Sequence, residues 1–125
     1  MLDTSSSGLK LDVERGPDWI FIRVNPPDGP WDDAPPLADA VWAILEQSFV
    51  YRVVLELDQI PLLRSCIIGQ LIRLSKRVHG HDGLLRVCGL SPHNHEVLMA
   101  ARLGAVLPNY RDRSEAVMAS RPHPR

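Results

Sequence analysis

Three groups of side chains in this 125-residue chain have the types and spacing for chemistry. Arg64-Ser65-Cys66 sets a guanidinium, a hydroxyl and a thiol in a row immediately before an amphipathic segment. A thiol in the first turn of a helix beside an arginine is where a thiolate is stabilised. The competing reading is a small side chain filling a serine-sized space, and it is favoured because Cys66 has neither a CxxC partner nor a histidine close in sequence. His79-Gly80-His81 and His93-Asn94-His95 are two HxH pairs from which a metal could draw ligands. Zinc needs three or four converging ligands, which pairs on separate elements do not guarantee, so solvated histidines are expected and no metal or cofactor is invoked. Arg64, Arg73, Lys76, Arg77 and Arg86 give the middle of the chain a basic bias. Such a face is either solvated or an interface for an acidic partner, an anionic lipid or a nucleotide near a helix start. No Ser-His-Asp order, Walker glycine loop or GxGxxG occurs, so an enzyme is not expected.

The elements that must position these groups follow from hydrophobic period. Val53, Val54, Leu55 and Leu57 form a short apolar run, the mark of a strand buried on both faces. From Ile67 the period changes: Ile67, Ile68, Leu71, Ile72, Ser75 and Val78 fall on one helical face, and Gln70, Arg73, Lys76 and Arg77 on the other. Ser65 is placed to cap that helix through its hydroxyl. Upstream, Leu9, Leu11 and Val13 alternate with polar residues, as in a strand with one wet face near a sheet edge. Gly16-Pro17-Asp18 then turns the chain into the strand Trp19–Val24. Asn25–Pro36, half proline and glycine, is a loop. Within it, Trp31 is either an exposed anchor for a partner or a lid on the core. Leu37, Ala40, Val41, Ile44, Leu45 and Ser48 predict a helix of about three turns.

In the second half, Gly80 and Gly83 bracket a turn, and Leu84–Cys88 is the next strand. Ser91 caps a helix with Pro92 in its first position, Val97, Leu98, Ala100 and Ala101 supply its apolar face, and Gly104 ends it. Ala105–Leu107 is a last short strand, and Asp112 or Ser114 caps a terminal helix through Ala116, Val117 and Met118. The order β-β-α-β-α-β-α-β-α predicts an α/β fold, a mixed sheet with its later strands parallel and helices packed against it.

Composition bounds the rest. With 45% hydrophobic residues, the length suits one domain over 1–125, its core about 9–119, with 1–8 and 120–125 flexible. A net charge of -1 gives no general reason to expect nucleic acid. No apolar run approaches the roughly 20 residues of a membrane span, and the first residues lack signal-peptide character, so a cytoplasmic protein with reduced Cys66 and Cys88 is expected.

The run VVLELDQIPLLRSCIIGQL (Val53 to Leu71) and the later RVCGLSPHNHEVLMAARLGAVLPNYRDRSEAV (Arg86 to Val117), in this order of elements, resemble the STAS domain of bacterial anti-sigma factor antagonists. The resemblance spans nearly the whole chain. It implies a noncatalytic interaction domain that binds an anti-sigma serine kinase or a larger signalling complex, and leaves the oligomeric state open, a dimer included. In the family the turn reads Asp-Ser-Ser-Gly or Asp-Ser-Thr-Gly, and phosphorylation of the residue before the glycine blocks partner binding. Here the resemblance puts Arg64 on the aspartate, Ser65 on the first serine, Cys66 on the phosphoacceptor and Ile67 on the glycine. It implies partner binding through Arg64, Ser65, Cys66, Ile67, Gly69, Gln70 and Arg73. Either the phosphoserine switch is lost or Ser65 has taken it over; loss is favoured because Ser65 is needed as a cap. The alternative function is a STAS relative that senses a small ligand or an oxidant through the helix N-terminus and Cys66.

Overall fold

The computed structural model describes residues 2–4, 9–26 and 36–118. Six strands lie side by side in chain order: β1 (Leu2–Thr4), β2 (Leu9–Arg15), β3 (Ile20–Asn25), β4 (Arg52–Glu56), β5 (Leu84–Cys88) and β6 (Asn109–Tyr110). The first two junctions are antiparallel and the last three parallel. The crossovers from β3 onward carry helices α1 (Leu37–Ser48), α2 (Ser65–Gly80) and α3 (Pro92–Ala100), and α4 (Arg113–Met118) follows β6. A mixed sheet with parallel later strands was the architecture expected from the alternation of periods.

One strand is additional. Leu2–Thr4 pairs with β2, with Leu2 opposite Leu11, so β2 lies one strand in from the edge and the expectation that residues 1–8 are all flexible is corrected. Three residues are too few to carry a readable period. The proline-rich loop, with Trp31, lies outside the described residues for most of its length.

The sheet has two unlike faces. Against one, α1, α2 and α3 build the main core, in which Ile20, Ile22 and Val24 of β3 and Val53 and Leu55 of β4 meet Val41, Leu45, Leu71, Leu74 and Leu98. α2 is rotated slightly from its expected face. Leu74 is fully buried, while Ile68 and Ile72 remain half-exposed beside it. On the other face a smaller cluster joins Trp19, Val54, Cys88, Tyr110 and Ala116, with α4 above it. β4 therefore is buried on both sides, as its unbroken apolar run requires.

The second half departs from expectation in three places. α3 ends at Ala100, with Arg102 in the left-handed region (φ 59), so Gly104 is not its stop signal. Its apolar face is narrow: Leu98 is its buried apolar side chain, and Ala100 and Ala101 are exposed. Ala105–Leu107 is a turn rather than a strand, because Leu107 N–H donates back to Leu103 O at 2.8 Å while its side chain fills the core. Pairing with β5 begins after Pro108, at Asn109. Asp112, of the two candidate caps, does the work for α4: its Oδ1 accepts from Glu115 N–H at 2.9 Å.

Arg86, counted in sequence with the basic side chains, is buried on the second sheet face, with its guanidinium 5.1 Å from the Trp19 ring and 5.6 Å from that of Tyr110. Beside it, burial and the nearby carboxylates of Glu56 and Asp58 push the Cys88 thiol up to about 12 from an ordinary 9.0. The folded chain therefore keeps a proton that the unfolded chain releases between those values. Stability is intact below pH 9 and falls as pH rises toward 12. Denaturant titrations from pH 8 to 11 are expected to show that decline, and Cys88→Ala to make it shallower.

Candidate functional site

β4 and β5 run parallel, so the loops leaving their C-terminal ends meet at one rim of the sheet, and α2 and α3 both start there. The β5–α3 link is short. Gly89 takes φ +77, and a Cβ on it would lie 3.2 Å from both Cβ and backbone N of Asp58, so neither the backbone conformation nor the space suits another residue. Ser91 caps α3 as expected, accepting from Asn94 N–H at 3.1 Å, with Pro92 in the first turn.

The cap fixes Asn94, and Asn94 fixes the neighbouring loop. Its Oδ1 accepts from Leu63 N–H at 2.8 Å, and its Nδ2 donates to Ile60 O at 3.1 Å. Asn94 is completely buried. Ile60 and Leu63 drive their side chains into the core around it, while Pro61 and Leu62 project outward between them. In the sequence this residue is overshadowed by the HxH pair that flanks it, His93 and His95. The signal was there: an amide three residues after a Ser-Pro helix start, in an otherwise sparse apolar face.

Leaving that loop, the chain enters α2. Arg64 is the N-cap residue in extended conformation (φ -81, ψ 159), Ser65 is already helical, and no side chain caps the helix. This corrects the expected cap at Ser65, whose hydroxyl is exposed. Ile67 is 1% exposed and belongs to the core, so it is withdrawn from the expected contact residues. Gln70, half-exposed, has a duty within the fold as well. Its Oε1 accepts from Ala38 N–H at 3.0 Å, closing the start of α1, where Pro36 supplies no side-chain cap. Arg77 is bound at 3.0 Å to Asp39 and lies over the Trp42 ring, which ties α2 to α1.

What remains outward on α2 is a continuous stripe. Ser65, Gly69, Arg73 and Lys76 follow one another at helical spacing and are exposed, flanked by half-buried Cys66, Ile68 and Ile72. Arg64 and Leu62 extend the stripe past the helix start. Among the described residues, Arg73 and Lys76 take part in no ion pair. A Cβ on Gly69 would meet nothing within 4 Å, so the fold does not need a glycine there.

Cys66 packs against the main core from one side of the sheet and Cys88 against the cluster on the other, so the two thiols are separated by the sheet. The histidine pairs are divided as well. His81 stacks among Trp42 and Tyr51, at 4.7 and 5.1 Å between ring centroids, and His79 Nδ1 lies 3.3 Å from Ser75 Oγ. His93 and His95 sit in the first turn of α3. Among the described residues no three His, Cys, Asp or Glu side chains converge as a metal site would require, and no helix is long and apolar enough to cross a membrane. At the rim, burial works against ionisation of Asp58, but hydrogen bonds from Gln59 and Arg23 together with the Arg23 charge outweigh it and hold its carboxyl below the ordinary 3.8.

By sequence the chain matches no family model and no curated protein. By structure it is similar to an anti-sigma factor antagonist from Mycobacterium paratuberculosis, with a TM-score of 0.72 at 19% identity over 89% of this chain and 92% of that one. The unphosphorylated anti-sigma factor antagonist SpoIIAA gives 0.62 at 15% over 86% and 93%. An anti-sigma-factor antagonist (STAS) domain protein from Planctomyces limnophilus gives 0.59 at 21% over 86% and 95%. This is the STAS fold. Within it, Arg64 is the last residue before the second helix, and Ser65 to Gly69 are the first residues of that helix.

The clamp on that junction sets a measurable cost. Asn94→Ala leaves Leu63 N–H and Ile60 O buried without partners and is expected to lower unfolding free energy by about 2–4 kcal/mol. Denaturant titration checks it; a loss under about 0.5 kcal/mol, the scale of an ordinary surface change, would contradict the clamp.

Proposed function

We propose that this chain is a noncatalytic protein-interaction domain of the anti-sigma factor antagonist kind. Its partner is an anti-sigma serine kinase of the GHKL type or a larger signalling complex, docked on the outward stripe of α2 from Arg64 through Ser65, Cys66 and Gly69 to Arg73. The observation that carries the reading is Gly69. Glycine within a helix costs about 1 kcal/mol relative to alanine, and here no contact inside the fold demands it. A partner backbone approaching α2 does explain a missing side chain at the centre of an exposed stripe. Small Ser65 and Gly69 with half-buried Cys66, Ile68 and Ile72 offer a low, partly apolar contact, and Arg73 and Lys76 offer charge to acidic groups at its far end.

The usual phosphoserine switch is absent in this reading. Cys66 stands at the phosphoacceptor position implied by the family resemblance, and Arg64 and Ile67 replace the flanking aspartate and glycine. Ser65 keeps a free, exposed hydroxyl at the helix start, where a phosphate would be electrostatically welcome. Loss therefore rests on the three replaced neighbours and not on a capping duty.

Affinity capture with the purified chain, followed by titration calorimetry with the recovered kinase, tests the proposal. Cys66→Asp and Gly69→Leu are expected to abolish binding while the fold is retained. Gly69→Ala is expected to raise stability by about 0.5–1 kcal/mol. Recovery of no kinase-like protein, or binding indifferent to both substitutions, would contradict the docking surface. Mass spectrometry after incubation with the kinase and ATP is expected to find Ser65 unmodified.

A further inference from the structure

α4 is held to the second sheet face in an unusual way for a helix. It has six residues, too few to persist alone in water. Ala116 is its one fully buried side chain, Val117 is half-buried, and Met118 is 83% exposed. Its attachment is polar instead. Arg113 forks onto Glu56 of β4 with Nε–Oε1 at 3.0 Å and Nη2–Oε2 at 2.8 Å, and reaches Glu14 of β2 at 2.8 Å. The guanidinium lies 4.5 Å from the Phe21 ring centre. Arg86 donates to Ala116 O from below.

Glu56, 6% exposed, has a second cation at hand in Arg23, 3.6 Å away. A buried carboxylate abandoned by its partner is strongly unfavourable, but one with a second counter-ion is not abandoned. The receptor of the fork is thus built to survive departure of Arg113. Beneath α4 lie Val54, Tyr110 and the Cys88 thiol, 2% exposed.

We propose that α4 is a detachable strap, latched by the Arg113 fork, whose release bares the second sheet face and Cys88 while the rest of the fold stays intact. The scarcity of apolar contact makes this a low-stability unit of the fold, and the ion pairs decide how often it opens. The proposal does not depend on the docking surface, which lies on the far side of the sheet.

Alkylation of Cys88 by iodoacetamide in the full chain carrying Cys66→Ser tests it, with global stability measured in parallel by denaturant titration. Labelling is expected at least about tenfold faster than global unfolding permits, and nearly independent of low denaturant, as local opening requires. Arg113→Ala is expected to speed it by about tenfold or more, the direction set by loss of the latch. Leu74→Ala, which weakens the core on the other face, is expected to leave the low-denaturant rate unchanged. Should Arg113→Ala not fold, the denaturant independence of the parent protein decides alone. Labelling that tracks global unfolding, and that accelerates with Leu74→Ala, would overturn the strap.

Discussion

One buried amide governs the rim of the sheet at which α2 begins. Asn94 uses its backbone N–H on Ser91, its side-chain oxygen on Leu63 and its side-chain nitrogen on Ile60, so the first turn of α3 holds both ends of the loop entering α2. Loops leaving the C-terminal ends of parallel strands normally expose unpaired backbone groups; this one is pinned at two points by a side chain with no access to solvent. With Leu63 fixed, Arg64 must be extended and Ser65 must open the helix, and the direction of α2 across the sheet follows. Ile67, Leu71, Leu74 and Val78 then face the core, and Ser65, Gly69 and Arg73 face outward.

The same rim joins the two faces of the sheet. Gly89 lets β5 turn directly against Asp58, and Asp58 receives Arg23 from β3, whose other reach is toward Glu56. On the side of α1, α2 and α3 a large apolar core is joined by a few polar ties, the Asn94 clamp among them. On the opposite side the apolar cluster is small, and ion pairs among Glu14, Arg23, Glu56 and Arg113 add to it in holding one short helix. Hydrophobic burial fixes the outward stripe of α2 in a single shape, whereas a short helix held largely by charge is, in the proposal above, a place where the fold can open without unfolding.

Much of this was legible in the residues. The change from an unbroken apolar run at Val53 to a helical period at Ile67 located the central strand and helix, and Ser91-Pro92 located the start of α3. Local signals failed where tertiary contacts decide. Ser65 looked like a cap because serine before an apolar run usually is one, but the helix begins one residue earlier since the loop is already held at Leu63. Ala105-Val106-Leu107 looked like a strand because three apolar residues have no period to betray a turn. Gln70 looked exposed by periodicity, yet α1 needed an acceptor that Pro36 could not supply. The Ser91-Pro92 start marked the place of Asn94 but not its partner Leu63, 31 residues away, and the fork of Arg113 onto Glu56, 57 residues away, had no local signature.

The claim that Asn94 preorganises the proposed docking surface is tested most directly by hydrogen exchange at the Leu63 amide, followed by NMR in the unmodified protein. Leu63 sits in a loop, where amides ordinarily exchange fast, so its protection reports the Asn94 bond itself. Protection of Leu63 comparable to the amides of α2 is the predicted result. Exchange of Leu63 at the rate of an open loop, with α2 still protected, would contradict the account.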